Sequence, residues 1–170
     1  MKTIIVLGMH RSATSMTARA LHKSGEVYMG TNLMLNGFDN PEGHYENYDF
    51  YYLNEDILKV AGGSWFNPPA QGQIMAVEPL FRHRIQTLVS LSKQKAAETG
   101  YRSWGWKDPR TVLTIDLYMP HLDKPQFVTC HRDNGEVAAS LLKIHGLEYQ
   151  KAYNLSIEYN KRLLKFLSKL

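Results

Sequence analysis

The chain has 170 residues, of which 44% are hydrophobic and 21% charged, with a single cysteine and a formal net charge of +4. That length and balance fit one globular domain spanning 1–170 that buries its own core, and they exclude a disulfide-stapled scaffold and a cysteine-built zinc site, the lone Cys130 fitting a reducing cytoplasm. The mild positive charge favours anionic ligands without pointing to nucleic acid, because there is no Lys/Arg block and no aromatic–basic ladder, and no apolar run is long enough for a signal peptide or a membrane span.

Thr3 to Leu7 is a short, fully apolar, β-branched run and reads as a buried parallel strand. Gly8 to Ser15 reads as a loop, and a helix is predicted from about Thr14 to Lys23, closed by Ser24-Gly25. Residues 25–48 are rich in Gly, Asn, Asp and Pro and read as loop with at most a short turn of structure. Asp49 to Val60 is predicted helical, with Leu53, Ile57 and Leu58 on one side and Gly62-Gly63 as its stop. Trp65 to Gln73, with Pro68-Pro69, reads as irregular. Ala76 to Glu98 reads as one long helix with an apolar stripe of Leu80, Phe81, Ile85, Leu88, Val89 and Leu91. Ser103 to Lys107 is a second predicted strand, Pro109 to about Tyr118 a helix, Gln126 to Cys130 a third strand, Asn134 to about His145 a helix closed by Gly146, and Glu148 to Leu170 an amphipathic helix. Strands alternating with helices predict an α/β fold, a central parallel sheet between helices on both faces. In such sheets ligands sit beyond the C-terminal strand ends, so the site is expected after Leu7, Trp106 and Cys130.

Three segments supply the candidate chemistry. In Gly8-Met9-His10-Arg11-Ser12-Ala13-Thr14-Ser15 a strand–loop–helix aims backbone N–H groups at an anion, Arg11 adds charge and Thr14 and Ser15 add hydroxyls. It lacks the terminal Gly-Lys of a Walker A loop, and no strand ends in a strong Walker B aspartate, which argues against magnesium-dependent phosphoryl transfer. Arg132 lies just past the third strand with Ser140 eight positions on, a pairing of guanidinium and hydroxyl that suits a phosphate dianion; Arg132 can equally pair with Asp133 or Glu136. Trp104-Gly105-Trp106-Lys107-Asp108-Pro109-Arg110 projects Lys107 over the same edge as Arg11, or else holds Lys107, Asp108 and Arg110 in a salt bridge, with Asp108 placed to cap the helix begun at Pro109.

The first loop resembles the 5′-phosphosulfate-binding loop of sulfotransferases, with Ala13 where that family usually has glycine. Arg132 and Ser140 resemble its 3′-phosphate motif. The matched motifs run from about residue 3 to 146 and look like those of a short, bacterial- or phage-like member. The resemblance implies a three-layer α/β/α, P-loop NTPase-like fold and an enzyme that takes a sulfuryl group from 3′-phosphoadenosine-5′-phosphosulfate, without a metal, and passes it to a hydroxyl or amine, leaving 3′,5′-ADP. It implies that His10, Arg11, Ser12, Ala13, Thr14, Ser15, Arg132 and Ser140 hold the donor, and that Arg11 and Lys107 stabilise the transferring group. Asn40-Pro41-Glu42-Gly43-His44-Tyr45-Glu46-Asn47 resembles a segment that supplies a glutamate base in several branches, so Glu46, with His44 second, is the candidate base. Tyr45, Tyr48, Phe50, Tyr51 and Tyr52 are candidates to line an acceptor site or to be core. Family members commonly continue with a segment that covers the nucleotide, so an open site is expected here. Carbohydrate, lipid, small alcohol and protein tyrosine are all compatible acceptors, and the sequence carries no signature of oligomeric state. Two further readings fit the same residues: a catalytically inactive nucleotide-binding protein of this fold, and a P-loop small-molecule kinase. His10, His22, His83, His121 and His145 show no paired metal spacing and read as structural or exposed.

Overall fold

A computed structural model describes residues 1–36 and 40–170; of the segment expected to be loop, 25–48, residues 37–39 lie outside the described residues. The elements are β1 (Lys2–Gly8), α1 (Thr14–Lys23), β2 (Val27–Tyr28), α2 (Tyr48–Val60), α3 (Gln71–Ala76), α4 (Glu78–Glu98), β3 (Ser103–Lys107), α5 (Thr111–Tyr118), β4 (Gln126–Cys130), α6 (Asn134–His145) and α7 (Tyr149–Leu167). The strands form one parallel sheet in the order β2-β3-β1-β4. The architecture is therefore α/β with a central parallel sheet, as the alternation of strands and helices predicts.

The alternation of side chains along β1 separates two cores. Ile5 and Leu7 belong to the main cluster, and their cross-strand partners Trp106 and Phe127 lie on the same face. Ile4, one residue over, packs into a small cluster with Ala18 of α1, Val27 and Met29. So α1 covers one face, while Ile57, Ile85, Leu113, Val137 and Tyr159 of α2, α4, α5, α6 and α7 fill the other. The helix after β1 and the helices after its neighbours β3 and β4 leave the sheet toward opposite faces, which opens a crevice at the C-terminal end of β1.

Three local expectations are corrected. Val27–Tyr28 is an edge strand rather than loop: two residues pair with Ser103 and Trp104 and are buried, a tertiary pairing too short to leave a periodicity in sequence. The helix expected over 76–98 starts afresh at Glu78 and runs to Glu98, because Pro79 has no N–H and belongs in a first turn, and Gln71–Ala76, of which 71–73 were expected to be irregular, is a short separate helix that ends at Val77. In that restarted helix only part of the expected stripe is buried: Phe81, Ile85 and Val89 face the core, while Leu80 and Leu91 are exposed. The helix expected from Pro109 starts at Thr111, since Thr111 and Val112 close a turn onto the carbonyls of Asp108 and Pro109.

Candidate functional site

The loop after β1 begins at Gly8, where an added Cβ would stand 2.6 Å from the Cys130 carbonyl oxygen and 2.8 Å from Thr14 Cγ2; only glycine permits that approach between β1, β4 and α1. Beyond it the chain turns back on itself, and the Ser12 N–H donates to the Met9 carbonyl at 3.2 Å. Arg11 and Ala13 both adopt left-handed backbone, with φ of 66° and 64°. Such reversals turn successive backbone N–H groups into a concavity that suits an anion. The loop delivers the chain to the N-terminus of α1, which carries no side-chain cap, whereas α2, α6 and α7 are capped by Asn47, Asp133 and Glu148. The first N–H groups of α1 have no intrahelical acceptor and sit at the positive end of its dipole.

Lys107 at the end of β3 reaches this loop. Its side chain is 2% exposed, and its ammonium donates to Ser15 Oγ at 3.1 Å, to the His44 carbonyl at 3.1 Å and to Glu46 Oε1 at 2.8 Å. The carboxylate is brought there by a hairpin-like return of the chain: Leu33 bridges Asn47, Met34 and Glu46 are joined through a 2.8 Å backbone bond, and Gly43 makes the turn at φ +86°. Burial pushes the Glu46 carboxyl up, but the Lys107 ammonium and the Arg110 guanidinium override that and hold it below the usual carboxylate range.

Arg110 continues the network inward. It stacks over Tyr51 at 4.3 Å, donates to Asp108 Oδ1 at 2.8 Å, pairs with Glu55, and lies 3.5 Å from Glu46 Oε2. Asp108 is fully buried and also accepts from the Asn54 amide at 2.7 Å. Burial pushes its carboxyl up against the pull of Arg110. The expected salt bridge among Lys107, Asp108 and Arg110 is thus divided: Arg110 takes Asp108, and Lys107 takes Glu46.

At the outer side Arg11 Nε donates to Ser140 Oγ at 3.0 Å. Arg132 donates to the Arg11 carbonyl at 3.2 Å and to Glu136 at 2.7 Å. Ser140 therefore meets Arg11 in this structure rather than Arg132, which is held by the first turn of α6. The three residues nonetheless form one cluster.

A cavity of about 490 Å³ collects these groups. Its wall includes His10, Arg11, Ala13, Thr14, Ser15, His44, Glu46, Lys107 and Arg132 from the sequence-based candidates; Ser12 and Ser140 stand behind it. Among the described lining residues the carboxylate of Glu46 faces four cations, Arg11, Lys107, Arg110 and Arg132, a balance that suits an anionic ligand. Glu42 points elsewhere and pairs with Arg19. Tyr51 reaches the cavity; Phe50 is core, and Tyr45 is buried beneath α1.

The sequence reading missed Arg110, Trp65 and His145 as parts of this wall. Trp65 stands in the irregular stretch after α2 and packs on His10 at 4.4 Å and on His145 at 5.5 Å. Both ring nitrogens of His10 are buried and lack a hydrogen-bond partner among the described residues. Burial, then the charges of Arg110 and Lys107, push its pKa well below the ordinary histidine value, so the ring is neutral. His10 therefore lines the cavity as a neutral ring packed on Trp65.

A larger groove of about 730 Å³ lies between α2, α4 and the end of β2, but the loop after β1, Lys107, Glu46 and Arg132 are absent from its lining. Size alone therefore does not pick the site, and the convergence of charge and open helix N–H groups does. Among the described residues no group of three or more His, Cys, Asp or Glu is arranged to hold a metal ion, and no helix is long and apolar enough to cross a membrane. Compared with known protein families, curated proteins and solved structures, the chain matches none.

Proposed function

We propose that the chain is a sulfotransferase of P-loop-like type that moves the sulfuryl group of 3′-phosphoadenosine-5′-phosphosulfate to a hydroxyl or amine. The observation that carries this reading is the contact of Lys107 with Ser15 at 3.1 Å, which joins the end of β3 to the uncapped N-terminus of α1 in one cationic cavity. A strand order of β2-β3-β1-β4, with the anion loop following an inner strand, supports the P-loop-like type.

In the proposed reaction the 5′-phosphosulfate rests on the N–H groups of residues 13–15. The acceptor oxygen or nitrogen attacks sulfur in line, its bond to sulfur forms as the bond from sulfur to the bridging phosphate oxygen breaks, and the electron pair leaves on that oxygen. Lys107 and Arg11 stand where this negative charge grows, and cations fixed in place before the reaction lower its barrier. Arg132, with Arg11 and Ser140, takes the 3′-phosphate that distinguishes the donor from ATP. Glu46 accepts the acceptor's proton. The scheme draws its positive charge from side chains and helix N–H groups rather than a metal, and it carries with it a cytoplasmic setting and a lone reduced thiol.

One feature favours a second reading, a binding protein without turnover. All three N–H bonds of Lys107 are engaged by the protein itself, at Ser15, the His44 carbonyl and Glu46. Calorimetry of 3′,5′-ADP beside ATP with magnesium separates the readings from the kinase alternative. The sulfotransferase reading requires micromolar binding of 3′,5′-ADP and no binding of ATP, and binding of ATP alone overturns it. Binding of 3′,5′-ADP without transfer to any of a panel of sugar, phenol, alcohol and amine acceptors leaves the binding protein.

A further inference from the structure

We propose that Lys107 gates Glu46: an anion arriving on the loop after β1 draws the ammonium away from the carboxylate, so that Glu46 accepts a proton only while the donor is seated. This inference rests on the sulfuryl-transfer reading of the same site and adds an order of events to it.

The geometry is that of a shared cation. Lys107 has three protons and three acceptors, one on the loop side at Ser15 and two on the hairpin side at the His44 carbonyl and Glu46. Ser15 lies in the first turn of α1, so an anion oxygen held by the open N–H groups there stands beside the ammonium. The Lys107 side chain is 2% exposed, so its ammonium has little water to turn to when it gives up a partner. An incoming anion and Glu46 therefore compete directly for it.

What happens to Glu46 follows from its remaining neighbours. Once Lys107 turns toward the anion, the carboxylate keeps Arg110, which is 3.5 Å from Oε2 and already divided between Asp108 and Glu55. The other groups sharing the site are Asp108 from the end of β3, Tyr51 from α2, His44 beside Glu46, and His10 of the loop. His10 is neutral, Asp108 brings no positive charge, and His44 is the smallest of the influences that lower the Glu46 carboxyl, so these groups do not make up for the lost cation. A buried carboxylate with one partner fewer is a stronger base. The proton it then takes comes from the attacking hydroxyl, whose oxygen bonds to sulfur while the bridging phosphate oxygen departs with its electron pair toward Lys107. Before the donor binds, the same carboxylate is neutralised and is no base, so the site does not activate an acceptor or a water without its partner substrate.

The test is the titration of the Glu46 carboxyl carbon, followed by carbon-13 NMR on glutamate-labelled protein and assigned by the signal lost in Glu46→Gln. It is run on the free protein, with saturating 3′,5′-ADP and with inorganic sulfate, binding of each being measured by calorimetry in parallel. The gate requires the midpoint to rise by about one pH unit or more, a tenfold change in proton affinity, when an anion binds. A rise with both anions supports the gate and the donor together. A rise with sulfate, where 3′,5′-ADP does not bind, supports the gate and removes the donor reading. Binding of 3′,5′-ADP without movement of the midpoint overturns the gate and leaves the donor reading standing, silent binding of sulfate alone overturns both, and so does binding of neither anion. Lys107→Met raises the midpoint in the free protein and abolishes its response to anions; the wild-type comparison decides the question even if that variant does not fold.

Discussion

At the rim of the cavity Arg132 is 43% exposed and pairs with Glu136 across one turn of α6; at its floor Arg110 is 8% exposed and is held by Asp108, Glu55 and Glu46. Both are arginines beside carboxylates, yet they have different work. The rim pair is screened by water and costs little to break, so Arg132 is free to turn to a ligand phosphate. The floor network has lost its hydration, and each charge there depends on its neighbours. The floor holds Glu46 in place, and the rim is where the proposed function puts recognition. Charge in a cavity is thus informative about ligands where it is loosely held and about architecture where it is tightly held.

The strongest way to break this contrast is at the floor. Asp108→Ala removes a partner of Arg110 and one of the two acceptors of the Asn54 amide, and it should destabilise the fold by about 3–5 kcal/mol in urea unfolding. A loss below about 1 kcal/mol would show that the floor is no cooperative unit. The matching change at the rim, Arg132→Ala, should move unfolding by less than about 0.5 kcal/mol. It should weaken 3′,5′-ADP binding by about 10- to 100-fold while hardly touching 5′-AMP, because a charge-assisted phosphate contact contributes about 1.5–3 kcal/mol. Equal losses for the two nucleotides would remove the recognition role assigned to the rim.

Between floor and rim stands His10, whose ring nitrogens are buried and have no hydrogen-bond partner among the described residues. Its pKa is lowered from 6.5 by burial, so below pH 6.5 the unfolded chain binds a proton that the folded chain refuses. Stability therefore rises with pH up to about 6.5 and then levels off, as far as this group is concerned. His10→Phe deletes the effect: its gain over wild type should be larger by about 1 kcal/mol at pH 5.5 than at pH 7.5, read from thermal or urea unfolding at the two pH values. A pH-independent difference would mean that the ring titrates in the fold as it does in the unfolded chain. The smallest effect is at the loop. Ala13 sits at φ 64°, where a Cβ is strained, so Ala13→Gly should raise stability by about 0.5–1 kcal/mol after the entropic cost of glycine, with 3′,5′-ADP binding retained. Destabilisation by that change would mean that the loop relaxes out of the left-handed region.

Much of this was legible in the residues. Short β-branched runs marked β1, closed by Gly8, and β4, entered from Pro125; Ser24-Gly25 and Gly146 marked the ends of α1 and α6, and the departure at Ala13 pointed to the loop position where a methyl group meets left-handed backbone. Pro79 also carried the signal for the break between α3 and α4, because a proline in the second position of a helix announces a start. Arg11, Lys107, Glu46 and Arg132 were singled out from motif position, and they do share a cavity.

Local signals determine local outcomes: where a strand stops, where a helix is capped, which loop offers N–H groups to an anion. The tertiary structure alone decided the pairings. Val27–Tyr28 became a strand because β3 lies beside it, Trp65 entered the cavity wall because α7 and the loop bring Tyr159 and His10 against it, and Lys107 chose Glu46 while Arg110 chose Asp108. Each of these contacts joins segments or selects among charges by distance and burial, and a charge taken out of water takes the partner that packing places within reach, whatever its separation along the chain.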